Sequence, residues 1–292
     1  MFSVGDIYAR IKAFRATLGS GNHALYFAKV DVRAAFDTIP QRAIVELMKR
    51  IPGQSQYKIA KHVEIRVAES ASAQGKDHKP RSRWHSLAKA AGDTAPFLQL
   101  VEEQLGTKRT GTVFIDNIVH KSFDTEALLS LLASHVGQNL VKIGKKYYRQ
   151  KQGIPQGSVL SSTLCNYFYA DLEMRHLSFL QGEDCLLLRL IDDFLLITRT
   201  KSKAVRFVKT MHAGLPDYGV AVSEGKSLVN FEMSTRGSPV PRLQHTDQFP
   251  YCGTLIDCGS LDVSKDRENP KDPGTYATKM SSCSGGHDLT WG

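Results

Sequence analysis

Cysteine is scarce and poorly spaced for chemistry. The five thiols fall at positions 165, 185, 252, 258 and 283, with no CxxC pair and no histidine at zinc-binding spacing. A structural zinc site is therefore not expected, and free thiols in a reducing compartment are. Long apolar runs are missing too. Arg189, Asp192 and Asp193 interrupt the most hydrophobic segment, so nothing approaches the roughly 20 apolar residues of a membrane span. No signal-peptide pattern and no internal repeat stand out. Acidic residues are outnumbered: 29 Asp and Glu face 38 Lys and Arg, a net charge of +9 over 292 residues. That balance favours an anionic partner, with nucleic acid fitting best. A chain of this length with 41% hydrophobic content can build one large or two small cores.

The most informative stretch is 186–198, Leu-Leu-Leu-Arg-Leu-Ile-Asp-Asp-Phe-Leu-Leu-Ile-Thr. Two short apolar runs with the composition of buried strands flank adjacent carboxylates. With no Gly or Pro between them, Asp192 and Asp193 are expected at the tip of a tight hairpin. Burying an unpaired carboxylate is costly, and a divalent cation such as Mg²⁺, which takes hard oxygen ligands, is the simplest compensation. A solvated turn is the plain alternative, and this stretch alone leaves both open.

Elsewhere, Val4, Ile7, Ile11, Phe14 and Leu18 recur at helical spacing, with Ser3 and Asp6 at capping-box spacing. An ordinary domain helix is expected there rather than a transit peptide. Residues 25–32 read as a strand ending near Asp31, and residues 37–40 as a turn. Pro40 suits the first turn of a helix over 41–49. Residues 52–95 change character, rich in Gln, Ser, His, Lys and Gly, with a mobile basic loop expected over 70–86. Helices are predicted over 97–105, 126–136, 161–177 and 203–214, and a strand over 112–118. A glycine-bearing loop, 152–158, precedes the third of these helices and suits close approach to a nucleotide. Residues 219–222 and 228–231 bracket a turn holding Lys226. A final hairpin is predicted around 257–259, and a disordered tail over 264–292.

Taken together, these segments carry a resemblance. Phe-Ala-Lys-Val-Asp-Val-Arg-Ala-Ala-Phe-Asp-Thr-Ile-Pro (27–40) resembles motif A of reverse transcriptases in its telomerase form. Residues 152–166, Gln-Gly-Ile-Pro-Gln-Gly-Ser-Val-Leu-Ser-Ser-Thr-Leu-Cys-Asn, resemble motif B′, and 187–198 resemble motif C in its Leu-x-Asp-Asp variant. Residues 219–231 are similar to motif D, and Phe-Pro-Tyr-Cys-Gly-Thr-Leu-Ile-Asp (249–257) to motif E, the primer grip. Five motifs in order cover most of residues 1–264.

The resemblance implies an α/β (α+β) palm: an antiparallel sheet carrying three aspartates, backed by helices, with partial fingers inserted over about 52–145. Residues 1–263 would form the reverse transcriptase domain. Asp31, Asp192 and Asp193 would be catalytic and hold two Mg²⁺ ions about 4 Å apart for in-line phosphoryl transfer. Phe36 would be the aromatic gate beneath the incoming sugar, and Gln156 with Gly157 would contact the nucleotide. Lys226 would stand near the triphosphate as a general acid, and Tyr251, Cys252 and Gly253 would press on the primer end. Lys29 and Arg33 would be surface or packing residues. The implied partners are a telomerase template RNA, a telomeric DNA primer and dNTPs, with no membrane, in the nucleus at chromosome telomeres. Departures are visible as well. About 25 residues precede motif A where the family carries an RNA-binding segment and the first finger motifs. A Ser/Gly-rich stretch follows motif E where it carries a thumb, and Glu224-Gly225 precedes the motif D lysine. Two alternatives follow: a truncated, non-catalytic form that binds nucleic acid, and a retroelement-type reverse transcriptase.

Overall fold

The computed structural model describes residues 4–19, 24–66, 80–93, 96–105, 111–117 and 121–266. In chain order, α1 (Val4–Leu18) leads into β1 (Tyr26–Asp31), a short α2 (Ala35–Thr38) and α3 (Gln41–Lys49). Next come β2 (Gln56–Arg66), β3 (Arg81–Ala90), α4 (Phe97–Leu100), a π-helical turn at Val101–Leu105, β4 (Thr112–Asp116) and β5 (Lys121–Asp124). The chain continues through α5 (Thr125–Gly137), β6 (Leu140–Ile143), β7 (Lys146–Arg149) and α6 (Ser161–His176). A hairpin of β8 (Cys185–Leu190) and β9 (Asp193–Thr198) precedes α7 (Lys201–Ala213) and β10 (Leu228–Val229). The last elements are β11 (Ser234–Thr235), β12 (Ser238–Pro239), β13 (Gln248–Tyr251), β14 (Thr254–Asp257) and β15 (Val263–Lys265).

The chain divides into two compact units, residues 45–135 and the remainder. The larger is built on an antiparallel sheet of order β10-β1-β9-β8. Because side chains alternate across a sheet, β8 and β9 present two apolar faces. Leu186, Leu188, Leu190, Leu195 and Ile197 join Phe27, the α1 residues Ile7, Ile11 and Phe14, and Phe249 and Tyr251 in one core. On the opposite face Phe194 meets Tyr169 of α6, while α7 lies across β1 and β9. Strands covered on both faces read as near-continuous hydrophobic runs, which is why residues 186–198 look as they do.

In residues 45–135 a sheet of order β3-β2-β4 forms, with β5 also paired to β2. The basic loop expected over 70–86 needs correction: Arg81–Ala90 is a strand paired residue for residue with β2, and 67–79 lie outside the described residues. Two further corrections follow. The helix expected over 97–105 is α-helical only to Leu100. A tight hairpin at Cys252–Gly253 joins β13 to β14, and the final hairpin turns after Asp257 as expected, joining β14 to β15. Ser264 and Lys265 belong to that strand, and the rest of the expected tail, 267–292, lies outside the described residues. Residues 219–222 contribute only isolated bridges, Val32 to Val222 and Leu215 to Val220.

Candidate active site

Asp31 closes β1 and Asp193 opens β9, and the two are direct cross-strand partners. Directly opposed residues share a face, with Cβ atoms about 5 Å apart, so two carboxylates face each other by register alone. Asp192 occupies the two-residue turn before β9, and its carbonyl accepts the Val32 N–H at 3.1 Å. The other turn residue, Ile191, has φ 58°. A β-branched side chain is rarely tolerated there, so the surroundings must impose it.

The two-residue turn itself demands positive φ, and Arg189 ties that turn to its surroundings. Its guanidinium is 8% exposed. Nε donates to Glu173 Oε1 at 2.5 Å, Nη1 to Asn166 Oδ1 at 2.7 Å, and Nη2 to the Asn166 carbonyl at 3.2 Å. Nη1 also reaches the Ile191 carbonyl at 3.5 Å. The acid turn is thereby tied to α6, the helix that follows the glycine loop. In the sequence Arg189 shows only as a break in an apolar run.

Lys226 stands on the other side of Asp31. Its ammonium donates to Asp31 Oδ2 at 3.2 Å while the side chain stays 64% exposed. Ser223 N–H bonds the Asp31 carbonyl at 3.0 Å, and β10 pairs with β1, so the lysine turn is fixed to the same strand end. Behind it, buried His212 of α7 contacts Ser227 Oγ at 2.9 Å and Thr235 Oγ1 at 3.0 Å. Burial holds this imidazole below the ordinary value of 6.5. The sequence reading missed His212, since a lone histidine on a helix carries no distinctive signal.

The β13–β14 hairpin closes a third side. Tyr251 Oη donates to the Asp193 carbonyl at 2.9 Å, and Cys252 Sγ lies 3.7 Å from Asp193 Oδ2. Cys252 and Gly253 both have positive φ (49° and 76°), as a tight primed hairpin turn requires. Burial pushes the Tyr251 phenol well above its usual value, so it remains a donor.

Phe36 lies half-buried in α2, and its carbonyl accepts the Ile154 N–H at 2.7 Å. Gly153, at φ 76°, sits so close that a Cβ would strike the Phe36 carbonyl and lie 2.6 Å from Asp37 Cα. Gln156 Nε2 donates to Asp37 Oδ1 at 2.6 Å, and Gly157 has φ 81°. The glycine loop and the end of motif A are thus one assembly. The structure brings Asp31, Asp193, Lys226, Tyr251 and Cys252 together, with Asp192 on the same turn. Phe36 lies five residues along the chain from Asp31, beside Asp37, to which Gln156 bonds, and Gly157 follows on the same loop.

Among the described residues, no trio of acid, histidine or cysteine side chains forms a ready metal cage. The chemistry of the donors still fits a hard divalent cation: two cross-strand carboxylates, a third on the adjoining turn, and an ammonium already drawn to Asp31. Among the described residues no helix is long and apolar enough to cross a membrane.

A family model described as reverse transcriptase (RNA-dependent DNA polymerase) matches residues 110–256, half of the chain. Curated relatives include the telomerase reverse transcriptases of Bos taurus, 34% identical over 279 residues, and Mus musculus, 32% identical over 271. These alignments cover 92% and 90% of this chain, which spans only 24% of each relative's length. Among solved structures, apo telomerase from Candida tropicalis matches with TM-score 0.59 at 24% identity, over 91% of this chain and 37% of that one. Telomerase from Candida albicans, in complex with a fragment of telomeric RNA, matches with TM-score 0.61 at 18% identity, over 92% and 35%. These structures show a shared fold, and the antiparallel sheet with its helices is that fold. Polymerases matched by such a model generally use divalent metal ions. By its sequence, its fold and the order of its motifs, this chain belongs to the reverse transcriptase family.

Proposed function

We propose that residues 1–263 form the catalytic palm of a telomerase-type reverse transcriptase, with partial fingers inserted over about 52–145. It would copy a separate template RNA into DNA at the 3′ end of a telomeric primer, using dNTPs, in the nucleus at chromosome ends. One observation carries the reading: the Asp31–Asp193 cross-strand pair is bordered by the Asp192 turn, the Lys226 ammonium and the Tyr251–Gly253 hairpin. This arrangement suits in-line phosphoryl transfer, where catalysis is mostly positioning and charge neutralisation.

Asp31, Asp192 and Asp193 would hold Mg²⁺, which when bound lowers the cost of the charge developing on the attacking and leaving oxygens. The chain's own residues divide the remaining work. Lys226, 64% exposed, can turn from Asp31 to a triphosphate and lend a proton to departing pyrophosphate. Phe36 supplies a flat wall beneath the sugar, and its backbone is fixed by Ile154. Gln156 would meet the nucleotide, Gly157 leaving the backbone open for close approach. The hairpin at Cys252–Gly253, fastened to Asp193 through Tyr251, would hold the primer end against the carboxylates.

The test is primer extension with a templating RNA, labelled dNTPs and Mg²⁺, by the protein containing these residues. Asp192→Ala should reduce extension to background while leaving the circular-dichroism spectrum unchanged. Extension that survived Asp192→Ala would falsify the assignment.

A further inference from the structure

β6 and β7 form an isolated two-stranded ribbon, described within the same compact unit as the aspartates. Its register pairs Leu140 with Arg149 and Lys142 with Tyr147, so these four share one face. Tyr147 is 67% exposed, and the Lys142 ammonium lies 5.6 Å from its ring centre. The turn is Gly144-Lys145, with Gly144 at φ 61° as a two-residue hairpin demands. Lys142, Lys145, Lys146, Arg149 and Lys151 fall within ten residues, and no Asp or Glu occurs between Glu126 and Asp171. A solvated ribbon would gain from acids among its lysines; this one has none.

The base of the ribbon is anchored. Gln150 N–H bonds the Asn139 carbonyl at 2.9 Å, and Asn139 Nδ2 donates to Gln150 Oε1 at 2.8 Å. Gln41 Nε2, at the start of α3, donates to the carbonyls of Gln150 at 3.3 Å and Gly153 at 3.0 Å. The second strand therefore runs directly into the loop that packs on Phe36. A rigid base with an exposed basic and aromatic tip has the chemistry of a single-strand platform: cations follow phosphates, and a bare ring stacks on an unpaired base. A duplex keeps its base faces stacked inside and has no use for the ring.

We propose that the Leu140–Arg149 face of this ribbon binds single-stranded nucleic acid, the unpaired template RNA approaching the nucleotide loop. The choice of template strand rests on the polymerase reading above; single-strand binding itself does not.

The experiment uses the 292-residue chain and a fluorescein-labelled 12-nucleotide oligouridylate, followed by anisotropy across a KCl series. A 12-base-pair RNA–DNA duplex serves as the comparison. Tyr147→Leu should weaken single-strand binding about 10-fold and leave the duplex unchanged, with Tyr147→Phe behaving as the parent. Lys142→Ala combined with Arg149→Ala should lower the slope of log K against log salt by about 1.4, at about 0.7 per single-strand phosphate. All these positions are exposed, so circular dichroism should match the parent. Unchanged single-strand affinity in Tyr147→Leu, equal losses on strand and duplex, or an unaltered salt slope would each overturn the proposal. Binding needs no turnover, so a chain that binds through the ribbon but never extends a primer would remove the polymerase reading and leave this inference standing.

Discussion

Arg189→Met isolates what the buried guanidinium does for the acid turn. The methionine keeps an apolar body of similar length against Tyr169 and Phe194, whose rings lie 5.6 and 5.7 Å from the guanidinium carbon. What disappears is polar. Glu173, 29% exposed, loses its partner but can recover water, a loss of about 1 kcal/mol. The Asn166 carboxamide is worse placed: its Nδ2 is already buried without a partner, and the substitution strips its Oδ1 as well, about 1–2 kcal/mol more. Adding the lost cation–π contacts gives about 3 kcal/mol, the lower end of what breaking a buried pair costs. For a unit of this size the melting temperature should fall about 6–12 °C, read by circular dichroism. Relaxation of Ile191 from φ 58° should also reduce primer extension more than the Tm change explains. Pairing Arg189→Met with Asn166→Leu should recover part of the stability, because both members of the buried Nη1–Oδ1 bond are then apolar. A Tm shift under about 2 °C, or a double variant less stable than the additive sum, would refute this account of the clamp.

Three other perturbations probe different parts of the molecule. Gly153→Ala and Gly144→Ala impose the same left-handed penalty of about 1 kcal/mol, but only the Gly153 methyl overlaps neighbouring backbone. Gly153→Ala should therefore cost at least about 2 kcal/mol more in urea unfolding and raise the KM for dNTP; equal costs would deny the tight seat on α2. Phe36→Ala should admit ribonucleotides, seen as a smaller dNTP/rNTP ratio of kcat/KM, and unchanged discrimination would place the gate elsewhere. Burial holds His62 and His212 below 6.5, so the unfolded chain binds protons more readily than the folded one as pH falls through that value. Stability should be full above about pH 6.5 and decline below it. Near His212, Glu224 opposes the downward shift and Arg236 adds to it. Comparing Tm at pH 7.5 and 5.5 tests this, with His212→Asn expected to shallow the decline.

The central sheet was legible in the sequence because its strands are covered on both faces and so lose their polar alternation. The start of α3 was legible because Pro40 fixes it. β3 was not: its residues Arg81–Ala90 are mostly exposed, and what orders them is a ten-residue ladder with β2, which composition does not encode. The last hairpin was legible because Asp257, Gly259 and Ser260 are turn residues. Asp257 Oδ1 accepts the N–H groups of Gly259 and Ser260 in the turn that joins β14 to β15. The tighter turn uses Cys252, a residue type with no turn preference. For the candidate site, the motif order picked out the aspartates, whereas Arg189 and His212 were invisible because a buried charge and a buried imidazole are recognised only by what surrounds them.

Gln41 has a consequence for how this chain can vary. It sits just before the excursion through 45–135 begins, and it grips the backbone at 150 and 153, beyond the β6–β7 ribbon that follows that excursion. The start of α3 and the loop at 150–153 are therefore held side by side whatever lies between them. Closing a longer detour between fixed ends costs only about 0.6 kcal/mol per doubling of its length. A graft site of this kind lets the intervening segment be lengthened, shortened or replaced by unrelated sequence without moving Phe36 or the aspartates. Experimentally, the chain should accept a short linker in place of residues 50–124, between α3 and α5, with the Gln41 bonds kept.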